Sequence, residues 1–210
     1  MSVYLPPSFA THDGAAIVQL IRERPFATLV TGTRDEPQVS HLPLLFEADG
    51  TAQGALIGHM ARANPQWQQF AEGSTLAIFH GPHAYVSPSW YTKPAAMVPT
   101  WNYVVVHVRG SMTLIDDAQA KHDMVRQLTG HFESGRPAPW RLQLDGERLS
   151  AMLRAIIGFR MTIDRIDAKF KLSQNRMPED RERVIAGLRQ EAFGDAGDTA
   201  EWMARHAREN

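Results

Sequence analysis

Apolar and polar positions change period several times along the chain, and each change marks an element. Asp13 to Arg24 places Ile17, Val18, Leu20 and Ile21 at helical spacing, with Asp13 able to cap the start and Pro25 stopping the end. Period two follows. Phe26 to Gly32 reads as a strand, Arg34 to Pro37 as a polar turn, and Gln38 to Glu47 as the returning strand. On that second strand Val39, His41, Pro43 and Leu45 share one face, and Ser40, Leu42, Leu44 and Phe46 the other. Asp49-Gly50 is a hairpin signal, and Ala55 to His59 is the next strand. Asn64-Pro65 then opens a helix with Trp67 and Phe70 inward.

Ser74 to Phe79 is a further strand. Gly81-Pro82 reads as a turn, Ala84 to Ser87 as a short strand and Ser89 to Pro94 as a loop. Thr100 to Met112 is a long strand with Trp101, Tyr103, Val105 and His107 on one face and Asn102, Val104, Val106 and Val108 on the other. Helices are predicted over Asp116 to Phe132 and Gly146 to Ile157. A last strand runs from Gly158 to Ala168, a helix starts at Pro178, and a short one follows from Thr199. Val3 to Phe9 is an extended arm that Tyr4 and Phe9 anchor. About six closely spaced strands with helices at the rims predict a mainly β, α+β fold: a small antiparallel barrel with peripheral helices. No Gly/Ser linker or internal repeat divides it. The expected organisation is one domain over 1–210 with a C-terminal helical extension from about 178.

Composition narrows the function. The chain has 210 residues, 43% of them hydrophobic, a formal net charge of -1 and no cysteine. Disulfides, thiolate catalysis and Cys-type zinc sites are excluded. The charge does not favour a free-standing nucleic-acid-binding module. The opening residues lack signal-peptide character and no apolar run is long enough to span a bilayer, so a cytoplasmic protein without membrane attachment is expected. No Gly-x-Gly-x-x-Gly, Walker loop, His-Glu-x-x-His or Gly-x-Ser-x-Gly pattern is present. No metal site is expected and no catalytic residue is assigned.

Three stretches carry candidate chemistry. From His80 to Val108 histidines, tryptophans, tyrosines and four prolines crowd together. This makes a rigid surface of apolar bodies and polar tips, suited to a planar ligand or a partner subunit. His59, Arg62 and the amides after Asn64 gather where a strand hands over to a helix, as an anion site requires. Lys169 to Arg176 offers three cations, a serine and two amides directly after a strand. Cations hold phosphate, and amides pair with the edge of a heteroaromatic ring.

Together with Tyr4-x-Pro-x-x-Phe9, the segments Gly58-His-Met-Ala-Arg-Ala-Asn-Pro-Gln-Trp67, His80 to Tyr91, Val98-Pro-Thr-Trp-Asn-Tyr103 and Lys171-Leu-Ser-Gln-Asn-Arg176 resemble the PaiB-like family of FMN-binding negative transcriptional regulators. The resemblance implies an FMN-binding split β-barrel, related to pyridoxamine-phosphate oxidase-like flavoproteins, that works as a homodimer with flavin at the subunit interface. By the same analogy His59, Arg62 and Asn64, with the backbone of Met60 and Ala61, hold the phosphate. Ser40, His41 and Leu42 run along the isoalloxazine. Trp90, Trp101, Asn102 and Tyr103 come from the partner subunit, and Ser173, Gln174 and Asn175 close the site. The implied function is transcriptional repression, with DNA as a possible partner. The alternative is a flavin- or haem-associated oxidoreductase, in which the cofactor carries the redox chemistry.

Overall fold

The computed structural model describes residues 3–50, 53–143 and 145–206. Strand β1 is Ala10–Thr11, helix α1 Gly14–Glu23, β2 Phe26–Thr31, β3 Gln38–Pro43, β4 Leu45–Glu47, β5 Ala55–Ala61, β6 Thr75–Val86 and β7 Thr100–Ile115. Helices α2 Ala118–Glu133 and α3 Gly146–Arg154 follow, then β8 Ile156–Lys171, α4 Pro178–Gln190 and α5 Ala196–His206. The strands pair in the order β3-β2-β6-β7-β8-β5-β4, with β1 added on β8.

The chain divides into two compact units. One comprises Ile21–Phe79 and Val108–Ile166. The other comprises the segment up to Leu20, His80–His107 and the chain from Asp167 onward. In the first, β2 pairs with β3 and with the opening half of β6, while β5 pairs with β4 and with β8. Leu29, Leu44, Leu56, Phe79, Phe159 and Met161 are fully buried there. A further apolar cluster joins Leu45 and Ile57 to Met124 and Leu128 of α2. In the second unit β1 pairs with the end of β8, Ala10 opposite Lys169 and Thr11 opposite Ala168. Its core contains Val86, Tyr91, Val104, Val106, Leu172, Val184 and Leu188. Helices α4 and α5 pack on one another, and Arg189 of α4 pairs with Glu201 of α5 at 2.9 Å.

Several elements depart from the expected pattern. The single strand expected over Gln38 to Glu47 is two: Leu44 N still donates to Pro25 O at 2.9 Å, one step beyond the Phe26–Pro43 pair, and from Leu45 the chain pairs with β5 instead. Before the break β3 pairs with β2, and after it β4 pairs with β5. Gly81-Pro82 is not a turn but the interior of β6. The β2 register ends at Ile78, so Pro82 has no β2 partner to donate to. A Cβ on Gly81 would lie 2.8 Å from Leu20 and Val104 side-chain atoms, so that position is packed flat. The helix expected to reach Ile157 ends at Arg154, and β8 starts at Ile156. The last helix begins at Ala196, ahead of Thr199. Tyr4 does not anchor the arm by burial, being 82% exposed; its backbone carbonyl accepts from Lys169 Nζ at 2.9 Å.

Candidate functional site

The expected site residues fall into two groups, one in each unit. In the unit containing β3 and β5, Asn64 is the hub. Its Oδ1 accepts from Gln66 N at 3.0 Å and its Nδ2 donates to Ser40 Oγ at 2.7 Å. The helix expected after it is a five-residue 3-10 turn, Pro65–Gln69. Beyond its end, Gly73 packs on Gly32: a Cβ on Gly73 would lie 2.3 Å from Gly32 O. Asn64 therefore already occupies the first amide that an anion was expected to use.

Gln66, which the sequence pattern did not single out, is 1% exposed. Its Nε2 lies 3.0 Å from Leu29 O, 3.1 Å from Gln38 O and 3.2 Å from Thr31 Oγ1, so it stitches the turn to β2 and β3.

Along β3, His41 is exposed, with Nδ1 3.2 Å from Thr28 Oγ1 and its ring stacked on Phe26. Leu42 points inward. On β5, Met60 is buried and Ala61 exposed, and their backbones lie in the ladder with β8 opposite Ile157 and Ile156. Burial holds the His59 imidazole below its ordinary pKa, which favours the neutral ring.

Arg62 makes the largest number of ties. Its guanidinium meets Asp116 through both terminal nitrogens, its Nε donates to Arg154 O at 2.8 Å and its Nη2 to Ile156 O at 3.3 Å. Its carbonyl accepts from Trp67 Nε1 at 3.0 Å. Lys121, 3% exposed, reaches the same Asp116 carboxylate at 2.9 Å. The hydrogen bond from Arg62, then that from Lys121, holds Asp116 down at about 2. Asp116 and Lys121 belong to this constellation and carry no sequence signal, since a single acid before a helix reads as a cap.

In the other unit the alternation of β7 separates residues that the resemblance groups together. Trp101 and Tyr103 lie on one face; Asn102, 1% exposed, lies on the other. Asn102 Nδ2 donates to Ser173 Oγ at 3.0 Å and to Met203 Sδ at 3.2 Å. Gln174 folds back on its own turn: its Oε1 accepts from Leu172 N at 2.7 Å and its Nε2 donates to Phe170 O. Asn175 is exposed. Trp90 lies against α4, where its carbonyl accepts from Arg183 Nε at 2.8 Å. Trp101 is 47% exposed and stands beside His83 and Tyr85, with ring centroids 5.7 and 6.3 Å away. A cleft of about 350 Å³, lined by His80, Gly81, His83, Trp101, Tyr103, Val104 and Val105, runs along this face. Its size and apolar walls suit one planar ring system. A larger concavity, about 970 Å³, lies elsewhere, between Arg34, Asp35, Glu36 and Glu72; its acidic excess opposes phosphate binding.

Among the described residues no helix is long and apolar enough to cross a membrane. Residues 3–165 match the family model described as "Putative FMN-binding domain". The chain is 35% identical over 204 residues to the protease synthase and sporulation protein PAI 2 of Bacillus subtilis, covering 96% of each. Among solved structures it is similar to the flavocytochrome Anf3 from Azotobacter vinelandii, with a TM-score of 0.63, 16% identity, and coverage of 83% of this chain and 75% of that one. It is also similar to the FAD and heme binding protein from Mycobacterium smegmatis, with a TM-score of 0.62, 18% identity, and coverage of 85% and 80%. These structural likenesses show the fold, a split β-barrel with peripheral helices. On the family match and the PAI 2 identity, the protein belongs to the PaiB-like family of FMN-binding-domain proteins.

Proposed function

We propose that the protein binds FMN as a homodimer and serves in the cytoplasm as a negative regulator of transcription. The observation that carries the flavin reading is the aromatic cleft along β7. Trp101 is half-exposed beside it, His83 and Tyr103 flank it, and its volume suits one isoalloxazine. The apolar surface of Trp101 and Tyr85, both nearly half exposed, supports a second copy of the chain as a partner. Trp101, Tyr103 and His83, all in the unit that carries the cleft, would hold the ring. Taken by itself, the other unit offers an anion-binding group: Arg62 and Lys121, two cations around the single carboxylate of Asp116, leave a net positive charge suited to a phosphate. When bound, the flavin supplies electron transfer; the chain binds, orients and shields it. The regulatory reading rests on the PAI 2 relative, whose name links it to protease synthase and sporulation.

The test is a fluorescence titration with FMN and with riboflavin, beside Trp101→Ala and Arg62→Ala. FMN binding weakened by both variants, with Arg62→Ala acting on FMN and not on riboflavin, is the expected result. Absence of flavin binding by the wild type would end the flavoprotein reading. Sedimentation with and without FMN tests the dimer. Sequence-specific DNA retardation at physiological salt tests repression.

A second reading, a flavin- or haem-associated oxidoreductase, is favoured by His80 and His83 lining the same apolar cleft. The name of the Mycobacterium smegmatis structure includes both FAD and heme, and that of the Azotobacter vinelandii structure is flavocytochrome. Consumption of NAD(P)H by the flavin-loaded protein, or a Soret band lost in His83→Ala, would favour it over the regulator.

A further inference from the structure

We propose that the turn after β8 builds a separate site for a small oxyanion, a phosphate group or a carboxylate, held by Lys171, Arg176 and the hydroxyl of Tyr91. A cavity of about 50 Å³ lies there, lined by these three residues together with Thr100, Asn102 and Ser173. That volume admits one acidic head group and no aromatic ring, so the site is distinct in kind from the cleft along β7.

Tyr91 is fully buried, and among the described residues its hydroxyl has no hydrogen-bond partner. Native structures rarely leave such a group unpaired, because its desolvation is uncompensated. Lys171 Nζ donates to Thr100 Oγ1 at 2.6 Å and to Trp101 O, which leaves one of its three hydrogens. The Arg176 guanidinium lies over the Tyr91 ring, 5.2 Å from its centroid, and otherwise donates to Met97 Sδ at 3.4 Å. Lys169 stands nearby, with Tyr4 and Tyr103 rings 5.2 and 5.3 Å from its Nζ.

Among the described residues none of these three cations makes an ion pair. Asp180 on α4 is close enough to Arg176 to feel its charge, but its carboxylate accepts from Thr92 N at 2.8 Å. Burial first, then the charges of Lys169 and Arg176, push the Lys171 ammonium below its ordinary pKa.

The backbone is shaped for the same purpose. Ser173 has φ of 62°, a left-handed conformation unusual for a residue with a side chain. Arg176 N closes the turn on Ser173 O at 3.0 Å, and Ser173 Oγ is fixed by the Asn102 amide. The strained turn brings Arg176 back over Tyr91. An anion here would accept from one phenol, one ammonium and one guanidinium, all charge-assisted hydrogen bonds.

The experiment titrates inorganic phosphate and acetate into the full chain by calorimetry, with chloride holding ionic strength constant. Wild type, Tyr91→Phe, Lys171→Met and Arg176→Gln are compared after circular dichroism confirms each is folded. Saturable binding of one anion beyond chloride is expected, weakened roughly tenfold or more in Tyr91→Phe. The Tyr91→Phe protein without anion should melt no lower than wild type, since it loses only an unpaired hydroxyl. Preference for phosphate identifies a phosphate monoester as the natural ligand class; preference for acetate identifies a carboxylate. Binding of neither anion beyond chloride overturns the site. So does unchanged binding in Tyr91→Phe, the variant that perturbs packing least.

Discussion

Arg62 and Asp116 form a two-point ion pair across 54 residues of sequence, with Nη1 at 3.2 Å from Oδ2 and Nη2 in closer contact with Oδ1. The guanidinium that the sequence pattern offers to a phosphate is thus first oriented by an internal acid. Through its Nε and Nη2 it also fastens the end of β5 to the carbonyls of Arg154 and Ile156.

Asp116→Asn removes one charge from that junction and leaves Lys121 buried without its partner. The melting temperature should fall by about 2–4 °C. The pH dependence has a definite sign. Asp116 titrates at about 2 in the folded chain, below its ordinary value, so its contribution is fully present at neutral pH. It is lost as pH falls from about 4 toward 2. Acid melts of wild type and variant should converge over that window and differ above it.

His59 gives a second pH signature. Burial depresses its pKa, so below the ordinary histidine value of about 6.5 the unfolded chain takes up a proton that the folded chain resists. Stability present at pH 7 is lost as pH falls through this range. His59→Asn should flatten the slope between pH 7 and pH 5 in urea denaturation, by no more than one proton. An unchanged slope would mean that another group sets it.

Gly187 on α4 leaves room for the Trp90 indole: a Cβ there would sit 2.5 Å from the ring. Gly187→Ala gains helix propensity but overpacks this contact. The expected balance is a net loss of about 1–3 kcal/mol in denaturant unfolding. Trp90 emission should shift as well, and a Trp90→Leu background should remove most of the penalty.

Trp101→Ala separates ligand binding from folding. The side chain is nearly half exposed, so unfolding free energy should change by about 0.5 kcal/mol or less. Flavin affinity should fall about tenfold if the indole carries the ring. Equal loss of stability and affinity would assign Trp101 to the fold alone.

Much of the fold was legible wherever period and burial coincide. The alternation read on Thr100 to Met112 matches the burial of Asn102, Val104, Val106 and Val108 and the outward placement of Trp101 and Tyr103. Asp13 caps α1 as its position implied, accepting from Ala15 N at 2.9 Å. The errors lie where tertiary packing overrides a local signal. Gly81-Pro82 carries the marks of a turn, yet packing against Leu20 and Val104 keeps it extended. Leu44 continues the alternation of its strand, yet the next residue, Leu45, changes partner from β2 to β5.

The candidate site was legible as residue types and not as partnerships. Asn64 with Ser40 is a local cap reaching one strand over. Arg62 with Asp116, and Asn102 with Ser173 71 residues away, are long-range pairs that leave no periodic trace.

The two-residue strand β1 sets a condition on biosynthesis. Ala10 is synthesised 159 residues ahead of its partner on β8, Lys169. At synthesis rates of roughly 5–20 residues per second, the first strand waits roughly ten to thirty seconds for the chain that completes its pairing. The unit holding the Tyr91 cavity therefore closes only after the end of β8 has been made.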